Sequence, residues 1–203
     1  MKSHINVKAK LKSQVYKLIL SRRSIRRFKQ DGVPLSILKK LVNTARLAPS
    51  GANLQPLEFM VINDKKTRKA VFNTLVWAGY ISPNGTPKEG EQPVAYILVL
   101  VNAHIRKQNY QWDVGAAMEN IILAALEQGL GSCWIGSINK SRLSEILKIP
   151  PHFMIDSILA LGYPAENPKI DEFKDNCKYW KDSLNRLHVP KRNLSAIIHF
   201  NKF

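Results

Sequence analysis

Asp113-Val-Gly-Ala-Ala-Met-Glu-Asn-Ile-Ile-Leu-Ala-Ala-Leu-Glu-Gln-Gly129 is the stretch on which the architecture turns. Val114, Ala117, Met118, Ile121, Ile122, Ala125 and Leu126 recur at i, i+3, i+4 spacing, the pattern of a helix with an apolar face. Gly115, Ala116, Ala117, Ala124 and Ala125 keep much of its surface small, so another helix can approach closely. A helix of this kind is buried on more than one side, and a subunit interface would account for that. Gly129 stops it.

Working outward, Ser132–Ile138 (SCWIGSI) reads as a strand leading into a loop. Asn139 or Ser141 starts a helix to Leu147, Pro150-Pro151 breaks the chain, and Met154–Leu161 is another apolar strand. On the other side, Val94–Val101 (VAYILVLV) is an almost unbroken apolar run, as expected of a strand covered on both faces. Phe59–Ile62 reads as a short buried strand, and Asp64 can cap a helix over 65–77. A helix over 35–47 follows Pro34, with Leu38, Leu41, Val42 and Ala45 at helical spacing. A further helix over 13–20 carries Val15, Leu18 and Ile19 on one side. Residues 48–56 form an ordered loop, and 82–92 a surface loop or lid. From Tyr163 onward the chain is polar and irregular. Strands and helices are intermixed, with helices more numerous, so the class is α+β or α/β. No repeat divides the chain. One domain over 1–203 is expected, with a basic N-terminal extension over 1–12 and a C-terminal arm over 164–203.

A chain of 203 residues with 45% hydrophobic content can bury a real core, which excludes a disordered protein. The charge is unusual: 31 Lys+Arg against 15 Asp+Glu give a net +16. Residues 1–29 hold ten basic side chains and no acidic one. Such a segment attracts phosphates, nucleic acid or anionic lipid, or it is simply a solvated helix face. A nucleic-acid surface would interleave aromatic residues with the basic ones, and residues 1–27 contain only Tyr16. Cys133 and Cys177 make no disulfide framework and no metal-type spacing, which fits a reducing cytosol. The N-terminus has no apolar run ending in a cleavage site. No stretch reaches the roughly 18 apolar residues of a membrane span. A cytoplasmic protein without membrane or nucleic-acid partners is expected. His4, His104, His152, His188 and His199 show no metal spacing and read as surface or loop residues.

Three segments carry possible chemistry. Arg22-Arg23-Ser24-Ile25-Arg26-Arg27-Phe28 sets four guanidinium groups and a hydroxyl just past a helix end. Guanidinium forks pair with phosphate oxygens in a bidentate way, although a solvated turn would look the same. Ala48-Pro49-Ser50-Gly51-Ala52-Asn53-Leu54-Gln55-Pro56 combines a glycine that permits close approach with two amides. Asn53 and Gln55 suit the polar edge of a flat heterocycle, or they pin the loop's own backbone. Gly129-Leu130-Gly131-Ser132-Cys133-Trp134-Ile135-Gly136 lacks the strand-to-helix context of a dinucleotide fingerprint. A strand ending at Gly136 could instead present a backbone N–H to a ligand. Cys133, beside Trp134, reads as a buried strand residue rather than a nucleophile.

In this order the segments resemble the nitroreductase family. The arginine turn and the Ala-Pro-Ser-Gly-x-Asn-x-Gln-Pro loop are the specific pair. The 113–125 helix, the glycine-bounded strand and Leu161-Gly162-Tyr163-Pro164-Ala165-Glu166 support them, so the likeness spans residues 18–192. The resemblance implies an α+β fold with a mixed central β-sheet flanked by helices, assembled as a homodimer with FMN at the interface. It places Arg22, Arg23, Ser24 and Arg26 at the FMN phosphate and ribityl chain. Pro49, Ser50 and Gly51 of the other subunit would line the isoalloxazine ring, with Asn53 beside it and Gln55 next to that. The backbone near Trp134, Ile135, Gly136 and Ser137 would reach the flavin N5 edge, and Lys191 and Arg192 would return to the phosphate. Electrons would pass from NADH or NADPH to a nitroaromatic, quinone or similar small electrophilic acceptor by a ping-pong mechanism. The cofactor supplies the hydride chemistry, so no catalytic side chain is assigned. Related architectures perform dehalogenation, azoline oxidation or flavin fragmentation, and nothing in the sequence selects among them. The excursions from Trp77 to Gln92 and from Asn102 to Asp113 are short compared with longer relatives. Trp77 and Tyr80 are either remaining substrate cover or core.

Overall fold

The computed structural model describes residues 14–202. The basic extension over 1–12 lies outside the described residues, as do His4 and the first residue of the first expected helix.

The long apolar run becomes the central strand β2 (Ala95–Asn102). Its neighbours are β1 (Leu57–Ile62) on one side and β4 (Phe153–Gly162) on the other, and β4 also pairs with β3 (Gly131–Ile135). The sheet order is β1-β2-β4-β3, with every pairing antiparallel. Its mixed character comes from one parallel bridge, Ser24 to Ser132, on the outer edge of β3.

Side chains alternate across the sheet, and both faces are covered. Ala95, Ile97 and Val99 point with Leu159 and Leu161 into a core closed by α2 (Leu35–Arg46) and α4 (Gln111–Glu127). Tyr96, Leu98 and Leu100 point with Ile158, Ala160, Cys133 and Ile135 into a second core. That core is closed by Val71 of α3 (Lys65–Phe72) and Leu143 of α5 (Lys140–Leu147). Residues 14–21 form α1. Asp64 and Asn139 cap α3 and α5, accepting from Thr67 N and Arg142 N.

Three expectations change, and one open choice closes. The 65–77 helix stops at Phe72. Thr74 Oγ1 donates to Val71 O at 2.7 Å, Val76 N donates to Ser137 O at 3.0 Å, and Leu75 bridges Ile138, so the chain leaves the helix to pair with the segment after β3. β3 is itself a strand to Ile135 leading into a loop, as expected. The C-terminal stretch is not irregular. It forms a small sheet ordered β5-β7-β6 from β5 (Lys169–Glu172), β6 (Trp180–Lys181) and β7 (Leu187–Lys191). With it, strands outnumber α-helices among the described residues. Finally, Trp77 is core, 5.6 Å from the Phe72 ring, whereas Tyr80 is exposed and lies 5.0 Å from Tyr179.

Candidate functional site

The arginine turn is stitched to the sheet edge. Ile25 N donates to Ser132 O at 2.8 Å, Phe28 N to Glu91 O at 3.0 Å and Lys29 N to Tyr163 O at 2.8 Å. Ile25 and Phe28 are buried. They press onto two glycines: a Cβ at Gly131 would lie 2.8 Å from Ile25 Cβ, and one at Gly162 would lie 3.0 Å from Phe28. Glycine at both positions is therefore what lets the turn dock. Glu166, in the turn after β4, accepts from Arg26 N at 2.5 Å and from Arg27 N at 3.3 Å.

With the apolar residues turned inward, the basic ones face a cavity of about 390 Å³. It is lined by Arg22, Arg23, Ser24 and Arg26 of the turn, by Ile19 and Leu20 of α1, by Ile170, Val189 and Lys191 of the small sheet, and by Tyr179 just before β6. Four cations thus converge from the two ends of the chain. Arg22 lies 3.9 Å from Glu119, and the Arg26 guanidinium carbon lies 5.2 Å above the Tyr179 ring. Arg23 donates to Leu20 O at 2.8 Å and to Arg22 O at 2.5 Å, but its buried Nε has no hydrogen-bond partner. Burial, reinforced by Arg22, lowers the Arg23 pKa from its ordinary value. Clustered, partly desolvated cations with an orphaned donor fit a phosphate, which relieves both deficits. Arg192 takes no part in this lining; its guanidinium donates to Ala196 O at 2.6 Å.

Residues 48–56 lie at a second cavity of about 250 Å³ between α2, α4 and β1. Pro49, Ser50 and Gln55 line it together with Arg46, Phe59 and Asp113. Ser50 Oγ accepts from Gln55 N at 3.1 Å, and Gln55 Nε2 donates to Asn53 O at 3.3 Å, so these polar groups partly serve the loop itself. Gly51 and Asn53 are exposed and do not line the cavity. No residue lines both cavities.

The start of β3 adjoins the arginine turn through Ser132, and the strand runs from there to Ile135. Trp134 is half-exposed and its indole donates to Ser157 Oγ at 2.7 Å, whereas Ile135 is buried in the second core. Gly136 and Ser137 are exposed, and a Cβ at Gly136 would meet nothing within 4 Å. Burial pushes the Cys133 thiol pKa up, which suits an inert core residue.

Several residues here went unread in the sequence. Glu166 was quoted only as the end of a strand motif, although a lone carboxylate there in so basic a chain was a signal. Asp113 was read as a helix opener, yet α4 starts two residues earlier and Asp113 is buried. His188 is not a loop residue. It sits in β7 with Nδ1 2.8 Å from Asp171 and Nε2 3.1 Å from Asp182, stacked on Trp180. Tyr179 and Ile170 had no sequence signal, because the small sheet that brings them to the cavity had none.

The chain is similar to proteins of one family. The model of the Nitroreductase family matches residues 19–163. A provisionally named NADH dehydrogenase/NAD(P)H nitroreductase of Archaeoglobus fulgidus is 33% identical over 78% of this chain and 90% of its own length. An iodotyrosine deiodinase of Thermotoga neapolitana is 28% identical over 76% of this chain and 90% of its own. Among solved structures, an FMN-dependent nitroreductase of Clostridium difficile R20291 superposes with a TM-score of 0.65 at 26% identity, covering 92% of this chain and 98% of that one.

Proposed function

The chain belongs to the nitroreductase family of oxidoreductases, and from that premise we propose that two copies hold FMN between them and pass electrons from NADH or NADPH to a small electrophilic acceptor. The observation that carries this reading is the basic cavity, where Arg22, Arg23, Ser24 and Arg26 meet Lys191 from the far end of the chain. Their donors hold the phosphate and the start of the ribityl chain. Ser132 anchors this turn to β3, which brings the open backbone at Gly136 and Ser137 toward the ring, with Trp134 and Ile135 fixing the strand beneath it. The loop of the second copy supplies Pro49, Ser50, Gly51, Asn53 and Gln55 to the ring's other side. Arg192 contributes through the local turn rather than as a direct phosphate ligand.

Two features support a homodimer. The two cavities share no lining residue, as expected when one site is completed by two chains. The side of α4 away from the core carries Trp112, which is 79% exposed, with Gly115, Ala116 and Leu123 only partly covered. A face of small and apolar residues around one carboxylate, Glu119, which lies 3.9 Å from Arg22, suits a second copy of the same helix.

When bound, FMN would supply reversible two-electron transfer between donor and acceptor, consistent with a ping-pong mechanism. The protein's own part is electrostatic: cations and N–H donors favour the negative charge the flavin gains on reduction. The acceptor class is a nitroaromatic, quinone or related electrophile. Reductive dehalogenation is the second reading, favoured by the similarity to an iodotyrosine deiodinase. Among the described residues no helix is long and apolar enough to cross a membrane.

The purified full-length protein tests the proposal. It should be yellow, elute as a dimer, and bleach when NADH or NADPH is added without oxygen. Parallel assays with a nitroaromatic and with iodotyrosine separate the two acceptor readings. The double variant R22A/R26A should weaken FMN binding by about two to four orders of magnitude, since each charge-assisted contact contributes about 1.5–3 kcal/mol and about 1.4 kcal/mol is tenfold. Unchanged flavin occupancy in that variant removes the phosphate assignment.

A further inference from the structure

We infer that Asp113 is a positioning residue for the flavin site: with Arg106 it clamps residues 48–56 so that the loop meets the ring as a rigid surface. This rests on the reading above that the loop lies against the flavin.

Asp113 is 4% exposed in the first turn of α4. A carboxylate among buried residues that are otherwise all apolar in this helix is costly unless its charge is engaged. The N-cap of α4 is Tyr110, and no side chain caps the helix, so Asp113 does not serve that purpose. One oxygen instead accepts from Gly51 N at 2.9 Å. The other lies 3.7 Å from Arg106 Nη1, and neither of those two atoms has a further hydrogen-bond partner. Arg106 is itself anchored by Nε donating to Gln108 O at 2.9 Å. A Cβ at Gly51 would meet Arg106 Nη1, so the guanidinium lies directly against the loop at this residue.

The loop needs such a clamp. Ala52, Asn53 and Gln55 have φ of 52°, 54° and 51°. Residues other than glycine hold this left-handed conformation only when their surroundings over-determine it. The bonds among Ser50, Asn53, Leu54 and Gln55 close the loop on itself. Its ties to the body are Ala48 N donating to Ala45 O at 3.0 Å at the entry, Pro56 O accepting from Asn102 N at 2.8 Å at the exit, and Gly51 to Asp113 in the middle. Without the middle tie, the segment carrying Ser50 and Asn53 would be held only at its two ends, and ordering it would weigh against flavin binding.

The test uses the full-length protein as wild type, D113A, D113N and R106Q, with amide hydrogen exchange measured without flavin and FMN affinity measured by fluorescence quenching. In D113A the Gly51 amide should exchange about 10- to 100-fold faster, while Met118 and Ile121 in α4 keep their protection. FMN affinity should fall about tenfold. D113N, whose amide oxygen still accepts from Gly51, should restore most of both, and R106Q should shift both by about threefold in the same direction. Unchanged Gly51 exchange in D113A overturns the proposal. Protection lost along all of α4, or Asn faring no better than Ala, also overturns it, because either marks a general role in folding. If D113A does not fold, R106Q decides: no change at Gly51 sinks the clamp. Loop release with undiminished FMN affinity refutes positioning and leaves the flavin reading intact. Loop release in a protein that never takes up FMN, wild type included, refutes the flavin reading instead.

Discussion

Replacing Glu166 separates two opposed effects on the basic cavity. Its carboxylate accepts from Arg26 N at 2.5 Å and from Arg27 N at 3.3 Å, fixing the turn from which Arg22, Arg23 and Arg26 project. Its negative charge also lies next to a site built for an anion. E166A removes both. Each orphaned donor costs about 1–3 kcal/mol. The shorter bond stands at the upper part of that range, while the longer one, in a partly exposed turn that water can reach, contributes little. The sum is about 2–3 kcal/mol, and at about 2–4 °C per kcal/mol for a chain of this size the melting temperature should drop by about 4–12 °C. FMN affinity should fall too, because the arginines lose their common platform. E166Q keeps an acceptor oxygen for Arg26 N but loses the charge. It should melt close to wild type and bind FMN as tightly or about two- to fivefold more tightly, as expected from deleting one screened like charge. Thermal melts by circular dichroism and FMN titrations in low salt read both quantities. An E166A protein that melts within a degree of wild type, with unchanged flavin affinity, would falsify the assignment of Glu166 as the anchor.

Two further outcomes follow from other parts of the molecule. G136V places a side chain where a single copy has open space. The apo-protein should therefore melt within about 2 °C of wild type, while turnover drops about tenfold or more as the ring is displaced; normal turnover would argue against Gly136 lying at the flavin edge. His188 gives a pH dependence. Its hydrogen bond to Asp171, then that to Asp182, raises its pKa above the ordinary 6.5. The Arg186 backbone and His188 lower that of Asp182 below 3.8. A raised folded-state pKa means that the His188 contribution is complete below pH 6.5 and disappears as pH climbs through the higher folded value. Asp182 acts in the opposite sense, its share fading only as pH falls below 3.8. The small sheet should thus be firmest between these limits and loosen on the alkaline side, and H188Q should flatten the alkaline slope of the melting profile. An identical slope in H188Q would rule out this histidine as its source.

The main sheet was legible because its strands are long, apolar and covered on both faces, so VAYILVLV at 94–101 could be little else. The first cavity was half legible. Four arginine-turn residues announce an anion, but nothing local says that Lys191 joins them. That contact depends on β5, β6 and β7, which are two to five residues long, largely polar, and paired between positions such as Lys169 and His188. Propensity is weakest in such strands, since what holds them is cross-strand contact rather than local preference. The 65–77 helix is shorter than its pattern predicts for a related reason: Leu75 and Val76 fit a helical stripe, but tertiary pairing with Ile138 and Ser137 outcompetes about one and a half further turns.

Charge shows best what the fold adds. Summed over the chain, +16 suggests a surface for nucleic acid or anionic lipid. The structure distributes part of that excess otherwise: Ile25 and Phe28 bury between the arginines, so the turn faces a pocket walled by Tyr179 and Ile170 rather than lying along an open stripe. A concave cluster with a carboxylate holding its backbone selects a single small anion, whereas a nucleic-acid groove needs cations spaced along a track with aromatic faces between them. Binding of FMN at this cavity should therefore depend on one phosphate: riboflavin, which lacks it, should bind at least about a hundredfold more weakly at low salt. Equal affinity for riboflavin and FMN would mean that these cations serve something other than the flavin phosphate.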